Sequence, residues 1–371
     1  MHAPRIRVGV IGTGFGAQVH LPALAALPSF EITALCGRDI AKVETIADIY
    51  DIRHVFTDYR DLIACPEVEA ITIATPPALH HATAIAAFAA GKHVLCEKPM
   101  ARSATEAREM ARMAETSGVT AMLGHEFRFT PARARMKELI DEGYLGTVAL
   151  AQLSFLRPLL ADARGHSWNW LMDAEAGGGM LGALGSHFVD TLRWWFGEIS
   201  EVAGAAAATV PIPWHGENRE SGAAAEDTFT MLLRFASGAM GTITCSAAAW
   251  HGPGEEIRAF GSEGMLMIAL DGTLWGGRYD DAAPVPIAIP AHLLGSGIPE
   301  VDDTPGSHAL IPPFIRLARL WAEGILTGTS PSPSFSDGLR VQEALDAVHR
   351  SQQQHKWVDV SGARWPVAPP R

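Results

Sequence analysis

The sequence has 371 residues, 48% hydrophobic and 19% charged, which is enough apolar material for two cored domains and excludes a disordered chain. Its 29 basic and 41 acidic side chains leave a formal charge of −12 with no basic run to offset it, so nucleic acid is not an expected partner. Cys36, Cys65, Cys96 and Cys245 show no C-x-x-C spacing and predict reduced thiols in a cytoplasmic protein, not a disulfide framework or a zinc site.

The first residues lead straight into Val8-Gly9-Val10-Ile11-Gly12, without the apolar core or cleavage site of a secretory signal. The uncharged stretch 70–91 could span a bilayer by length alone. Pro76-Pro77 and His80-His81 interrupt it, so it reads as strand, turn and helix, and no membrane partner is expected. Runs rich in Val and Ile at 6–11, 31–36, 70–74, 93–96 and 120–124 predict strands. Helical patterns lie between and after them at 17–26, 40–50, 79–90 and 103–117. Strands without strict alternation suit a parallel sheet covered on both faces, and repeated βα units predict a doubly wound α/β dinucleotide-binding domain over residues 1–126.

Past a helix at 130–142 the texture changes. Strands are expected at 148–155, 201–207, 227–235, 239–247, 255–260 and 264–270, and helices at 184–196, 312–324 and 336–355. Ser237-Gly238 and Ser262-Glu263-Gly264 are short enough to close antiparallel hairpins. The stretch 277–307, rich in Pro, Gly and Ala, reads as loop. Residues 127–371 are therefore expected to form an α+β domain on a largely antiparallel open sheet.

Gly12-Thr13-Gly14-Phe15-Gly16-Ala17 follows the first strand and opens a helix. The first glycine permits a tight turn and the second lets backbone approach a pyrophosphate. Ala17 stands where close helix–strand packing needs a small residue, and the helix N-terminus supplies N–H groups to the phosphates. The bland alternative is a plain glycine turn. At the end of the second strand, an NAD site normally carries a carboxylate for the ribose 2′-hydroxyl. Here Gly37 and Arg38 stand in its place. An arginine pairs with a 2′-phosphate, so NADP is favoured and NAD is the alternative, with Asp39 as the acid that would serve NAD. Among the histidines, His20 and His80-His81 read equally as pocket contacts or as surface and capping residues.

Several motifs follow in a fixed order. Ile73-Ala74-Thr75-Pro76-Pro77 precedes His80, and Glu97-Lys98-Pro99 closes a strand. Arg128-Phe129 follows the sixth strand, and Gly177-Gly178-Gly179-Met180-Leu181 runs on to Gly185-Ser186-His187 and Asp190. With the glycine motif, these resemble the Gfo/Idh/MocA oxidoreductases over nearly the whole chain. The resemblance implies a Rossmann domain plus a second domain whose open sheet lines the active site and mediates assembly, here into a homodimer or homotetramer. It implies hydride transfer between the nicotinamide and a sugar, cyclitol or glycoside carbon of a small-molecule substrate, with no metal.

The same resemblance makes Lys98 and His187 the catalytic pair. The expected cofactor contacts are Gly12, Thr13, Gly14, Phe15, Gly16, Gly37, Arg38, Thr75, Pro76, His80, Glu97 and Lys98, and the expected substrate contacts are Lys98, Arg128 and His187; Trp168 or Trp170, flanking the second motif, reads as an apolar pocket wall or as a core residue. On residue chemistry alone, Lys98 could equally be a partner of Glu97, and His187 a helix residue paired with Asp190. Two positions depart from the family pattern: Ala183 replaces the frequent Asp four residues before the histidine, and His125-Glu126 replaces an aromatic followed by Asn or Gln. Dehydrogenation of a dihydrodiol or turnover of a cyclic oxo compound is the alternative within the family. A non-catalytic dinucleotide sensor is the alternative outside enzymology.

Overall fold

A computed structural model describes residues 5–162, 169–210, 224–302 and 306–360. The chain divides into two compact units, Met1–Thr130 with Leu294–Leu339, and Pro131–Leu293 with Arg340–Arg371. The first unit is a parallel six-stranded sheet in the order β3-β2-β1-β4-β5-β6. Its strands are β1 (Ile6–Ile11), β2 (Phe30–Cys36), β3 (His54–Phe56), β4 (Ala70–Ile73), β5 (His93–Glu97) and β6 (Ala121–Gly124). Helices α1 (Leu21–Ala25), α2 (Ile40–Tyr50), α3 (Tyr59–Ala64), α4 (His80–Ala89) and α5 (Ala104–Thr116) connect them. Val8, Val10, Ala70, Ile71, Val94 and Leu95 are fully buried, which is why these strands read as continuous apolar runs. Order reverses between β1 and β4, so the carboxyl ends of β1, β4 and β5 frame the switch-point crevice where such sheets hold ligands.

In the second unit, α6 (Pro131–Asp141) and α7 (Ser186–Phe196) accompany a nine-stranded sheet. It comprises β7 (Val148–Leu156), β8 (Ile199–Ala207), β9 (Thr228–Phe235), β10 (Met240–Ser246), β11 (Gly254–Gly261), β12 (Gly264–Ile268), β13 (Leu274–Arg278), β14 (Val285–Pro286) and β15 (Val358–Asp359). Both expected hairpins form, pairing β9 with β10 and β11 with β12. One pair, β7 with β10, is parallel. Strand β9 alternates cleanly: Phe229, Met231, Leu233 and Phe235 are buried, whereas Thr230, Leu232 and Arg234 are exposed. Phe188 of α7 packs on Phe155 of β7 with ring centroids 6.0 Å apart.

The stretch 277–307 holds more structure than its composition suggests, including the ends of β13 and β14 and the short helix α8 (Pro299–Asp302). A larger correction concerns the continuation. Residues 294–339, assigned by sequence to the second domain, cluster with the first. They carry α9 (Ile311–Thr327) and the start of α10 (Phe335–Gln354). The α9 stripe of Phe314, Ile315, Leu317, Ala318 and Trp321 is fully buried in one cluster with Leu21, Leu24 and Phe30. Residues 330–334 then cover the edge strand β6: Ser330 Oγ accepts from the Ala121 N–H at 3.0 Å, and the Pro333 carbonyl accepts from the Leu123 N–H at 2.9 Å. An edge so covered is closed to further strand pairing.

Trp321 is fully buried and stacks on Phe30 with centroids 5.6 Å apart. Trp321→Ala is expected to cost about 3–5 kcal/mol, read as a fall in the denaturant midpoint of the first unit. An unchanged midpoint would show that α9 adds nothing to that core.

Candidate active site

The glycine loop is shaped by close approach. The Gly12 N–H donates to the Cys36 carbonyl at 2.9 Å, and its φ of +121° is one that L side chains rarely adopt. A Cβ there would drive into the Ala74 carbonyl. Gly14 is exposed, and a Cβ on it would meet nothing within 4 Å, so the loop backbone faces open space there. Gly16 is buried within 3.2–3.3 Å of where Val10 and Ala74 would touch a Cβ, so the tight helix–strand approach assigned to Ala17 begins one residue earlier. The first turn, Gly16–His20, is π-helical. It ends with His20 fully buried, and α1 continues from Leu21.

At the end of β2 a Cβ on Gly37 would lie 2.6 Å from the Thr13 methyl, so glycine lets the two loops close on each other. Arg38 is exposed. Asp39 caps α2, its Oδ1 accepting from the Lys42 N–H at 3.3 Å.

After β4, Pro76 precedes the single turn Pro77–Leu79, which leads into α4. His80 is fully buried, and its ring nitrogens face two carbonyls, Nε2 to Thr75 at 2.8 Å and Nδ1 to Pro99 at 2.9 Å. Burial holds its pKa below the usual histidine value, against the pull of those carbonyls and the Glu97 charge. His80, expected at the cofactor, has its two ring nitrogens turned to these backbone carbonyls, and a neutral ring donates to one of them. It fastens the Thr75 loop to the Lys98-Pro99 segment.

Glu97 is also buried. Its Oε1 lies 3.0 Å from His20 Nε2, and its Oε2 accepts from the Lys98 N–H at 3.3 Å. Burial alone would raise this carboxyl. The His20 hydrogen bond and the charges of His20, Lys98 and His80 outweigh it and hold the group below the ordinary glutamate range. Lys98 itself is half-buried at the strand end. Arg128, expected at the substrate, is buried and anchors the returning segment: Nη1 donates to Ser332 Oγ at 2.7 Å, and Nη2 lies 3.8 Å from Asp337.

In the second unit, the glycine run is held in place by a side chain that the sequence did not single out. The Leu181 N–H donates to Glu226 Oε1 at 3.1 Å, and the Met180 N–H donates to the Glu226 carbonyl at 2.9 Å. Gly179, at φ +108°, leaves the room that this carboxyl occupies. Burial raises the Glu226 pKa. A π-helical turn, Leu181–Gly185, follows and carries Ala183, after which α7 presents His187 and Asp190, both buried. Trp168 lies outside the described residues. No helix among the described residues is long and apolar enough to cross a membrane.

A glycine loop opening onto a helix at the switch point of a six-stranded parallel sheet, followed by a separate antiparallel unit, defines a two-unit dinucleotide-dependent oxidoreductase architecture. Residues 6–125 match the model of an oxidoreductase family with an NAD-binding Rossmann fold, and residues 134–267 match the GFO/IDH/MocA C-terminal domain. The chain belongs to the GFO/IDH/MocA oxidoreductase family. It is 34% identical to an uncharacterized oxidoreductase of Synechocystis sp., over 96% of this chain and 97% of that one. It is 30% identical to the levoglucosan dehydrogenase of Pseudarthrobacter phenanthrenivorans, over 96% and 98%. A solved levoglucosan dehydrogenase in complex with NADH and levoglucosan superposes with a TM-score of 0.84 at 27% identity, covering 96% of this chain and 100% of the other.

Gly12→Ala is expected to weaken NADH binding at least about tenfold, because both the φ value and the Ala74 carbonyl oppose a side chain. Fluorescence titration measures it, with circular dichroism confirming that the fold persists. Wild-type affinity in a folded variant would remove the loop from the cofactor site.

Proposed function

We propose that this protein is an NADP-preferring dehydrogenase that oxidises a secondary hydroxyl of a sugar, cyclitol or glycoside, or reduces the corresponding carbonyl. The observation that carries the reading is the mounting of Lys98. It follows a strand that ends at the switch-point crevice, with Glu97 fixed behind it by His20 and Pro99 fixed beside it by His80. The fit of a dinucleotide rests on the exposed backbone at Gly14 and on the tight turn at Gly12, whose φ and closeness to the Ala74 carbonyl exclude a side chain. When bound, the nicotinamide supplies the hydride acceptor or donor at its C4.

Lys98 is the group that takes the hydroxyl proton as the alcohol is oxidised and returns it in the reverse direction. His187 is assigned the second acid/base or substrate-contact role that the resemblance gives it. Gly12, Gly14 and the first helical turn hold the phosphates. Arg38 reads the 2′-phosphate: it is exposed at the end of β2, where an NAD site carries a carboxylate. The sugar class is supported by the levoglucosan dehydrogenase relatives.

Arg38→Ala should weaken NADP binding about tenfold or more and leave NAD binding within about twofold, as expected for loss of one charge-assisted phosphate contact. Equal losses for both cofactors would show that Arg38 does not read the phosphate. A screen of anhydrosugars, polyols and dihydrodiols for reduced-cofactor absorbance identifies the substrate. On that substrate Lys98→Ala is expected to lower kcat at least about a hundredfold with cofactor affinity preserved. Near-normal turnover would make Lys98 structural.

A further inference from the structure

The returning segment 294–339 brings a histidine against the glycine loop. His308, just before α9, is exposed, yet its ring is held on two sides. It meets Phe15, the residue between Gly14 and Gly16, edge-on, with centroids 5.9 Å apart and planes at 86°. Phe15 also meets the buried His20 edge-on at 5.6 Å, and His20 stacks on Phe314 of α9 at 4.2 Å. Four rings therefore run in sequence from the buried face of α9 through the loop to His308, all within the first unit.

The second hold fixes which nitrogen this ring can offer. Its Nδ1 accepts from the Leu310 N–H at 3.2 Å, and an imidazole that accepts at Nδ1 carries its proton on Nε2. That bond also polarises the ring and strengthens Nε2–H as a donor. The start of α9 has no backbone donor of its own to add. The Ile311 N–H is spent on the His308 carbonyl at 2.9 Å, the Phe314 N–H on the Leu310 carbonyl at 3.0 Å, and Pro312 and Pro313 have none. The polar end of this helix is thus expressed through Nε2–H, on the side of the ring away from Leu310. No residue among those described engages it. Phe15, the ring's neighbour, follows Gly14, whose exposed backbone faces open space.

We propose that His308 is a further cofactor-binding residue: held against Phe15 and Leu310, it donates Nε2–H to the diphosphate that the glycine loop binds. The proposal rests on the reading of that loop as the dinucleotide site, and it adds a contact supplied from the far end of the chain. A diphosphate is anionic, so the bond is charge-assisted and stronger than one between neutral groups. The anion then takes donors from two separate stretches of chain, the loop backbone and the segment that returns over the first unit.

The test is calorimetric titration of the full-length chain with three probes: NADH, ADP-ribose, which keeps the diphosphate without the nicotinamide, and AMP, which has no diphosphate. His308→Phe keeps a ring against Phe15 and removes the donor, and at an exposed position it leaves the core untouched. It should weaken NADH and ADP-ribose each about tenfold, as expected for one charge-assisted hydrogen bond, and leave AMP within about twofold. His308→Gln, whose amide nitrogen can donate from the position of Nε2, should return both affinities toward wild type. Unchanged ADP-ribose affinity in His308→Phe overturns the proposal, and so does an equal loss for AMP, which would place the effect outside the diphosphate. Gly12→Ala separates this failure from that of the underlying reading. If it weakens ADP-ribose where His308→Phe does not, the His308 contact alone falls. If neither variant weakens it, the loop is not the dinucleotide site.

Discussion

A carboxylate buried at the end of a β-strand is costly to keep charged, and the first unit is organised around meeting that cost. Glu97 ends an interior strand of a parallel sheet, where it is almost wholly shielded from water. The π-helical first turn ends on His20, which reaches the acid from 77 positions earlier in the chain. Gly124 gives up its side chain so that the carboxyl fits, and His80 crosses from Thr75 to Pro99 beside it. Each of these features is small. Together they fix the backbone that carries Lys98 more tightly than a strand end alone would.

The glycines act by the same logic of close approach. Gly12 brings backbone against Ala74, Gly37 admits Thr13, and Gly179 accommodates the Glu226 carboxyl at the start of the helical run before His187. In both units, a residue without a side chain makes room for a polar group or a main-chain segment.

What could be read from the sequence followed from period and punctuation. Apolar runs separated by helical patterns gave five of the six parallel strands, and the glycine motif between β1 and the first turn marked the crevice. Strand β3, with three half-buried residues, and the single-turn-scale α3 lack enough length to show a period. Partners distant in sequence were invisible for a different reason. The α9 stripe announces a buried face but not which surface buries it. Arg128 shows a charge but not Ser332, 204 positions away. Histidines His20 and His80 read alike as surface or pocket residues because pattern does not report burial. Glu226 carried no motif; its role comes from where β9 starts relative to the glycine run.

The return of residues 294–339 also bears on how the chain is made. The six strands and their first helices are complete by residue 130, yet the apolar surface of Leu21, Leu24 and Phe30 is closed by α9, which begins only at Ile311. At ordinary synthesis rates, that surface waits on the order of ten to forty seconds on the ribosome for its cover. The edge of β6, closed by residues 330–334, waits longer still. For this interval the nascent chain presents a sticky patch and an unpaired strand, the two features that recruit holding chaperones and seed aggregation. The dinucleotide half of the molecule is the first to be synthesised and among the last to be sealed.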